Sequence, residues 1–307
     1  MKLLQRMYPA LFALALTVFS AYALLDAFVI ERVYAPAESA QSVLTAEEPA
    51  AATVSVLSAG TEDCSDPVIT DTSYITDELT VELETYRWND TDIYVADVTF
   101  SDPAALKTAF SEGSYGRNVT AATSETAQSV GAILAVNGDN YGARESGYVI
   151  RGGVLYRDKA AKNQEDLVIW ADGSFSIVNE SEVTAQELLD RGAQEVFSFG
   201  PGLLSGGEIT VSADEEVGRA KASNPRTAIG LGENGHLVLV VSDGRTAQSE
   251  GLSLYELAEF LCSLGVETAY NLDGGGSSTM VFNGQVVNTP TSGHGVKERA
   301  VTDIIYF

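Results

Sequence analysis

The segment "NLDGGGSSTM" runs from Asn271 to Met280 and continues an apolar stretch that begins at Val266. Three consecutive glycines remove every side chain from one turn and weaken any strand or helix that they enter. A cost of this kind indicates a turn in which the backbone bends sharply or something approaches it closely. Two interpretations are open: a tight surface turn, or a ligand-binding turn with Asp273 before it and N–H and hydroxyl donors after it.

Similar polar clusters lie next to other predicted strands. "AILAV" ends in "NGDNYG", "LVLVV" ends in "SDGR", and a fourth cluster, "NPRTAIG", leads into a strand. Asn-Gly and Asp-Gly are common turn dipeptides, so one such cluster alone indicates only a turn. If the strands belong to one sheet, their ends converge on one rim and bring together Asp139, Asp243, Asp273, Arg226 and Arg245.

The remaining patterns predict the fold class. Residues 93–100 alternate like a half-buried strand, and glycine-containing turns join further strands into hairpins. Two helices are predicted by capping boxes, Thr184 to Glu187 and Ser253 to Glu256. Many strands, few helices and no regular strand–helix alternation predict an α+β fold, a strand-rich mixed sheet with a few helices, in a single domain over residues 76–307.

Several classes of function are disfavoured. The formal net charge of -25 argues against nucleic acid as a partner, because phosphate backbones require a basic face. The glycines from Gly230 to Gly235 match a dinucleotide fingerprint, but a strand rather than a helix follows them. With two histidines, His236 and His294, and no Cys/His cluster, we expect no metal site and no cofactor.

The N-terminus carries Lys2 and Arg6 before an apolar run that reaches Ile30 and contains one charge, Asp26. Either a signal peptide is cleaved after "AYA" (residues 21–23) and the protein is secreted, or the run remains as a membrane anchor. The run continues past "AYA" and exceeds a usual signal core, which favours residues 1–30 as a cytoplasmic flank and single-pass signal anchor. The basic flank then stays in the cytoplasm, and the domain is extracytoplasmic.

Residues 31–75 are predicted to be an acidic, low-complexity linker, since ten acidic residues and one basic residue, Arg32, lie between Glu31 and Glu78. Cys64 lies in this linker. Cys262 lies beside the apolar face of the predicted helix that starts after Ser253, so we expect a buried, reduced thiol there.

The clusters "NGDNYG", "NPRTAIG", "SDGR" and "NLDGGGSSTM", with the closing "ERAVTDIIYF", resemble the phosphodiester glycosidase family. The resemblance covers roughly residues 80–307, and the glycine-rich block is its most specific part. It implies hydrolysis of the bond between a sugar's anomeric carbon and a phosphodiester, in glycosyl-phosphate carbohydrate of the envelope or of an exopolysaccharide. The N-terminal anchor and linker lie outside it and resemble the membrane-tethered bacterial branch.

Such a reaction forms an oxocarbenium-like centre and releases a phosphate, which needs little proton donation. Arg226 and Arg245 are therefore predicted to clamp the phosphate, and Gly274–Gly276 with the following two serines to form an anion-binding backbone nest. A carboxylate acts as nucleophile or as base for water. The catalytic candidates are Asp273, Asp139 and Asp243, and the predicted nest serines are Ser277 and Ser278.

Other residues have two open interpretations each. Asn137 and Asn271 bind sugar hydroxyls or cap turns. Arg299 pairs with Glu298 near the site or at the surface, and His294 is a mobile loop acid or an exposed loop histidine.

Two rival functions remain open at this point. One is a non-catalytic module that binds carbohydrate or polyanion. The other is a metal-dependent phosphodiesterase that uses the aspartates as metal ligands.

Overall fold

The computed structural model describes residues 2–36, 67–214, 223–293 and 295–307. Four α-helices lie in these ranges: α1 (Lys2–Phe28), α2 (Thr123–Val130), α3 (Ala185–Asp190) and α4 (Leu254–Ser263). Helices α3 and α4 confirm the two predicted helices, because Thr184 Oγ1 accepts from the Glu187 N–H at 3.2 Å and Ser253 Oγ from the Glu256 N–H at 3.1 Å. Helix α2 was not predicted, since an alanine, Ala122, occupies its N-cap position.

The strands of the described residues make up most of the fold. In the first half of the chain they are β1 (Arg32–Val33), β2 (Val68–Ile69), β3 (Ser73–Ile75), β4 (Leu79–Trp88), β5 (Thr91–Phe100), β6 (Lys107–Phe110), β7 (Gly116–Arg117), β8 (Leu134–Asn137), β9 (Val149–Arg151), β10 (Val154–Arg157) and β11 (Glu165–Trp170). In the second half they are β12 (Phe175–Asn179), β13 (Ala193–Phe197), β14 (Gly202–Ser205), β15 (Glu208–Ile209), β16 (Arg226–Gly232), β17 (Leu237–Ser242), β18 (Val266–Asn271), β19 (Met280–Phe282), β20 (Gln285–Val286), β21 (Thr291–Ser292), β22 (Gly295–Val296) and β23 (Asp303–Tyr306).

These strands form one large sheet and several smaller ones. The large sheet has nine strands in the order β15-β14-β18-β16-β17-β5-β4-β3-β2. Two five-stranded sheets have the orders β10-β9-β13-β11-β12 and β20-β19-β8-β23-β6, and the pairs β1-β7 and β21-β22 form two-stranded ribbons. The strand-rich α+β fold predicted from the sequence is confirmed.

Strand β17 shows how the core is divided between two faces of the large sheet. Leu237, Leu239 and Val241 pack in the main core with residues of β8, β19 and β23. Val238 and Val240 point the other way, into a second core beneath α4. A strand buried on both faces has a continuous apolar sequence, and "LVLVV" has this pattern.

The predicted convergence of strand ends occurs at one edge of the large sheet. Strand β16 starts at Arg226, which pairs with Ser242 at the end of β17, and Ala228 pairs with Asn271 at the end of β18. Because β16 is antiparallel to both neighbours, its start lies beside both of their ends. Strand β8 belongs to a different sheet, yet Asn137 at its end accepts a hydrogen bond from Thr227 of β16 at 2.8 Å.

Folded structure begins earlier than the predicted boundary at residue 76. Strand β1 lies in the predicted linker and pairs with β7, and β2 and β3 extend the edge of the large sheet. Both ends of the segment 31–75 are therefore part of the folded protein, and residues 37–66 lie outside the described residues. Short apolar pairs such as Val68-Ile69 were too brief to stand out from the acidic composition.

The expectation that Cys262 is buried is wrong. The side chain is exposed, and its Sγ lies 3.6 Å from the Gly207 carbonyl oxygen. Leu257 and Leu261 are buried on the core face of α4, and the next residue is rotated by about 100° from that face. Cys64 lies outside the described residues.

Candidate functional site

A cavity of about 190 Å³ lies at the edge where the β16 and β18 ends meet. The residues around it come from five separate parts of the chain. They are Phe199, Asn224, Arg226, Arg245, Asn271, Asp273, Gly274, Gly275 and Arg299. Seven of these nine residues, all except Phe199 and Asn224, were predicted from the sequence as site residues.

Asp273 is the carboxylate that faces this cavity. Its backbone is fixed on both sides, because its N–H donates to the Gly138 carbonyl at 3.2 Å and its carbonyl accepts from Asn137 Nδ2 at 2.6 Å. Ser277 Oγ donates to its carboxylate at 2.6 Å. The side chain is nearly buried, and this burial raises the pKa of Asp273, against the opposing effects of the Ser277 hydroxyl and the Arg299 guanidinium.

Three guanidinium groups surround the same cavity. Arg226 is buried and donates through Nε to the Leu252 carbonyl at 2.8 Å. Arg245 donates through Nη2 to Asn224 Oδ1 at 2.8 Å. Partial burial lowers the pKa of Arg245, and repulsion from Arg299 and Arg226 adds to this effect. Mutual repulsion among cations marks a place where an anion gains favourable contacts.

The three glycines are explained by how closely other atoms approach them. Gly275 has a φ of +64°, and a Cβ there would lie 2.8 Å from Arg245 Nη2. A Cβ on Gly276 would lie 2.8 Å from Arg299 Nη2, and one on Gly274 would lie 2.9 Å from a backbone carbonyl oxygen. The turn therefore lies under two cationic side chains.

The backbone amides of the turn are largely used within the protein. The Gly275 N–H donates to the Pro225 carbonyl at 2.8 Å, and the N–H groups of Ser277 and Ser278 donate to carbonyls of the turn at 3.3 Å. These three amides therefore do not present the predicted nest to a ligand. The Ser277 hydroxyl is likewise used within the protein, by Asp273.

Asp139 does not line the cavity. Its carboxylate is fully buried, forms an ion pair with Arg151 Nη2 at 3.1 Å and accepts from the Ser198 N–H at 2.8 Å. Arg151 also contacts Asp303 at 2.8 Å. The structure thus gives Asp139 a buried structural partner that lies 12 positions further along the sequence.

Asp243 does not line the cavity either. It accepts hydrogen bonds from the Thr289 N–H at 2.8 Å and from Asn288 Nδ2 at 3.3 Å. These contacts fix the segment that follows β20 against the end of β17. Asp243 therefore shapes the rim without contacting the cavity.

The two asparagines have different roles. Asn137 is fully buried and its amide joins the Asp273 carbonyl to Thr227, which is a structural role. Asn271 lines the cavity and donates to the Gly200 carbonyl at 2.8 Å. Its Oδ1 is buried and has no hydrogen-bond partner among the described residues.

Three residues of the site were missed. Asn224 holds Arg245 and lies in the quoted cluster "NPRTAIG", so that cluster contained the signal. Phe199 lines the cavity, and Arg144 stacks 4.7 Å above its ring. No local pattern in the sequence distinguishes Phe199 from a core phenylalanine.

The remaining predicted site residues lie as follows. Glu298 accepts from the Ser124 N–H at 3.0 Å at the start of α2, rather than pairing with Arg299. Ser278 Oγ is buried and does not line the cavity. His294 lies outside the described residues. Within the described ranges, no group of three or more His, Cys, Asp or Glu side chains is placed to hold a metal ion.

A larger cavity of about 610 Å³ lies elsewhere, between β6 and the sheet that contains β13. It is lined by aromatic residues such as Tyr156 and Trp170, and none of the predicted site residues lines it. Volume alone therefore does not identify the site that carries the family motif.

Comparison with known proteins identifies the family. A family model described as phosphodiester glycosidase matches residues 130–307. The chain is 32% identical over 180 residues to the SPbeta prophage-derived uncharacterized protein YomE of Bacillus subtilis, covering 56% of this chain and 27% of that protein. It is 31% identical over 185 residues to the N-acetylglucosamine-1-phosphodiester alpha-N-acetylglucosaminidase of Bos taurus, covering 56% of this chain and 35% of that enzyme. The chain thus spans roughly a third or less of the length of these relatives.

The fold is shared with solved structures. The catalytic domain of the zebrafish N-acetylglucosamine-1-phosphodiester alpha-N-acetylglucosaminidase, auto-inhibited by its pro-peptide, superposes with a TM-score of 0.60 at 22% identity, covering 75% of this chain and 82% of that one. A hypothetical protein from Synechocystis superposes with a TM-score of 0.57 at 16% identity, covering 75% and 62%. With the family model matching more than half of its length, the chain belongs to the phosphodiester glycosidase family.

Proposed function

We propose that this protein is an extracytoplasmic glycosidase that hydrolyses the bond between a sugar's anomeric carbon and a phosphodiester oxygen in glycosyl-phosphate carbohydrate. The observation that carries the proposal is the convergence of one nearly buried carboxylate, Asp273, with three guanidinium groups on a single cavity. The reaction needs both charges, because cationic groups stabilise the departing phosphate and a carboxylate stabilises the oxocarbenium-like centre.

The arginines supply the interactions that the leaving group needs. A phosphodiester leaving group is already a weak base, so its departure depends more on charge stabilisation than on proton donation. Arg245 and Arg299 flank the glycine turn, and Arg226 lies at the start of β16. We assign these three side chains to the phosphate, with Arg245 oriented by Asn224.

Asp273 takes the carboxylate role, as nucleophile or as the base that activates water. Ser277 donates to one carboxylate oxygen and thereby orients the group. Asp139 and Asp243 have their carboxylates committed to protein partners away from the cavity. A mechanism with one cavity-facing carboxylate is consistent with a leaving group that needs no general acid.

The sugar would lie against Phe199 and Asn271. An aromatic ring provides an apolar surface for a sugar's C–H face. The Arg144 guanidinium stacks on the Phe199 ring and helps to fix its orientation.

The test is hydrolysis of a panel of sugar-1-phosphodiesters by the full chain in isotopically labelled water. We expect turnover with the label in the sugar product, because water attacks the anomeric carbon. Label in the phosphate product would show P–O cleavage and would replace this proposal with the phosphodiesterase alternative. Binding without turnover on every substrate of the panel would favour the non-catalytic alternative.

A further inference from the structure

Helix α1 is joined to the folded domain with no spacer between them. Immediately after the helix, β1 pairs with β7, with Arg32 opposite Arg117 and Val33 opposite Gly116. The pairing continues where the Tyr34 N–H donates to the Tyr115 carbonyl at 2.8 Å. The chain is therefore already attached to the domain before the acidic part of the sequence begins.

The last turn of the helix is also held by the domain. Asn118 Nδ2 donates to the carbonyl of Ile30 at 2.9 Å and lies 3.4 Å from the carbonyl of Asp26. Asp26 forms an ion pair with Arg32 of β1. Asp26 and Ala27 are partly buried, whereas the helix side chains from residue 11 to residue 25 are exposed. The helix thus projects from the domain surface at the level of residue 26.

This level coincides with the end of the apolar span. The span covers 18 residues, Leu11–Phe28, of which none is buried, and at 1.5 Å per residue it is about 27 Å long, close to the thickness of a bilayer's hydrocarbon core. Val29, Ile30 and Val33 continue the exposed apolar surface beyond the helix. If the helix spans a membrane, these side chains lie in the headgroup region, together with the β7 edge that they adjoin.

The same edge is connected to the catalytic cavity by one loop. The Gly116 N–H of β7 donates to the Tyr141 hydroxyl at 3.4 Å, and the Tyr141 N–H donates to Asp139 at 3.2 Å. Three residues later, Arg144 stacks on Phe199, which lines the cavity. Residues 141–144 therefore connect the headgroup-level edge, through Tyr141, to the cavity-lining Phe199, through Arg144.

We propose that the domain rests on the outer surface of the bilayer through its β1–β7 edge, and that its substrate is a glycosyl phosphodiester presented at that surface, such as one esterified to a lipid. The docking is independent of the enzyme's chemistry, whereas the substrate class rests on the proposed function. To reach a polymer remote from the membrane, the domain would need a long tether between itself and the helix. The β1–β7 pairing instead holds the domain next to the end of the helix.

The first experiment compares two insertions of about eight Gly and Ser residues, which span roughly 15 Å. One lies between Ile30 and Glu31, so it lengthens the connection between helix and domain. The matched control lies after Ala50, beyond the docked strand. The full chain is reconstituted in phosphatidylglycerol-containing vesicles. It is assayed on one sugar phosphodiester carried either by a diacylglycerol in the same vesicles or by a short soluble alcohol.

We expect the first insertion to lower turnover of the lipid-borne substrate by about tenfold through lost effective concentration. Turnover of the soluble substrate should be unchanged, and the control insertion should change neither rate. Equal effects of the two insertions would overturn the proposal, because a flexible linker would respond to both alike. A mature chain beginning at Leu24 would also overturn it.

The second experiment needs no activity, so it separates a failure of docking from a failure of the proposed function. A spin label is placed at Thr120, exposed two residues after Asn118, or at the exposed Ser205, the last residue of β14, in a Cys64→Ser, Cys262→Ser background. We expect the Thr120 label to be shielded from a water-soluble relaxation agent in vesicles, and the Ile30/Glu31 insertion to remove this shielding. Equal accessibility of the two labels would overturn the docking.

Discussion

Asp273 and Asp243 follow strands in the same way along the chain, yet their carboxylates serve different purposes. Asp273 faces the cavity and receives a hydrogen bond from Ser277, while Asp243 fixes the Thr289 backbone. Their different surroundings offer a matched pair of substitutions of equal size. The comparison separates loss of a reacting carboxylate from loss of a structural one.

We expect Asp273→Asn to lower kcat roughly 100- to 10,000-fold with little change in melting temperature, because it removes the charge but preserves the shape. Asp243→Asn should keep turnover and lower the melting temperature modestly. Steady-state kinetics and thermal denaturation of both variants provide the measurement. Near-normal turnover of Asp273→Asn would show that this aspartate only forms the turn.

The pH profile provides an additional check on Asp273. Burial raises the pKa of this carboxyl group, and the reaction uses its ionised form. Activity should therefore fall as the pH is lowered through a value above the ordinary aspartate range. An acidic limb within the ordinary range would contradict the assignment.

Arg245 offers a test of phosphate recognition. Arg245→Lys keeps the positive charge but loses the planar fork that contacts Asn224 through two nitrogens. We expect KM to rise by about tenfold, and the inhibition constant of inorganic phosphate to rise in parallel, with stability nearly unchanged. Arg87→Lys, at an exposed ion pair on β4, is the control and should leave both constants unchanged.

At the scale of elements, the glycine turn combines a backbone requirement with a steric one. Gly275 and Gly284 both have positive φ, at +64° and +73°. Arg245 would lie 2.8 Å from a Cβ on Gly275, whereas no atom lies within 4 Å of a Cβ on Gly284. A non-glycine residue would therefore be strained by the left-handed backbone at both positions. Only at Gly275 would its Cβ also collide with Arg245.

We expect Gly284→Val to lower the melting temperature by roughly 2–8 °C through backbone strain alone, with turnover intact. Gly275→Val should lower it at least as much and also abolish phosphate binding, since it displaces Arg245. Melting temperatures and phosphate affinity of both variants are the measurement. Equal phosphate affinity in the two variants would show that the turn does not support the arginine.

At the scale of the whole molecule, buried carboxyl groups away from the site link stability to pH. Glu195 is buried beside the larger cavity, and this burial raises its pKa to about 7 despite the nearby Arg151. Its carboxylate accepts from the Gly152 N–H and the Thr108 hydroxyl. A raised pKa in the folded state favours the protonated protein, so this group's contribution to stability is present at low pH and is lost as the pH rises through about 7.

The melting temperature should therefore decline between about pH 4.5, the ordinary pKa of a glutamate, and about pH 7, and level off above that, because the group is then ionised in both the folded and the unfolded state. Glu195→Gln should flatten that decline by on the order of 2–4 °C. Glu182→Gln, at an exposed position, serves as the control and should leave the slope unchanged. A wild-type profile that rises over this range, with the same slope in Glu195→Gln, would contradict the assignment.

The sequence by itself determined the features that depend on neighbours along the chain. The capping boxes at Thr184 and Ser253 located α3 and α4, and the apolar run "LVLVV" indicated strand β17. The meeting of Asp273 with Arg226 was also predictable, because each lies at the end of a strand and antiparallel strands bring such ends together.

Only the tertiary structure decided which polar side chains face the cavity. In the sequence, Asp139 was as good a candidate as Asp273. In the structure, the Asp139 carboxylate is buried in an ion pair with Arg151 of β9. Phe199 entered the site through the packing of a loop, and β1 joined the domain by pairing with a strand more than eighty residues away. Charge partners, side-chain orientation and edge pairing depend on contacts between distant segments, and the local patterns of the sequence do not encode these contacts.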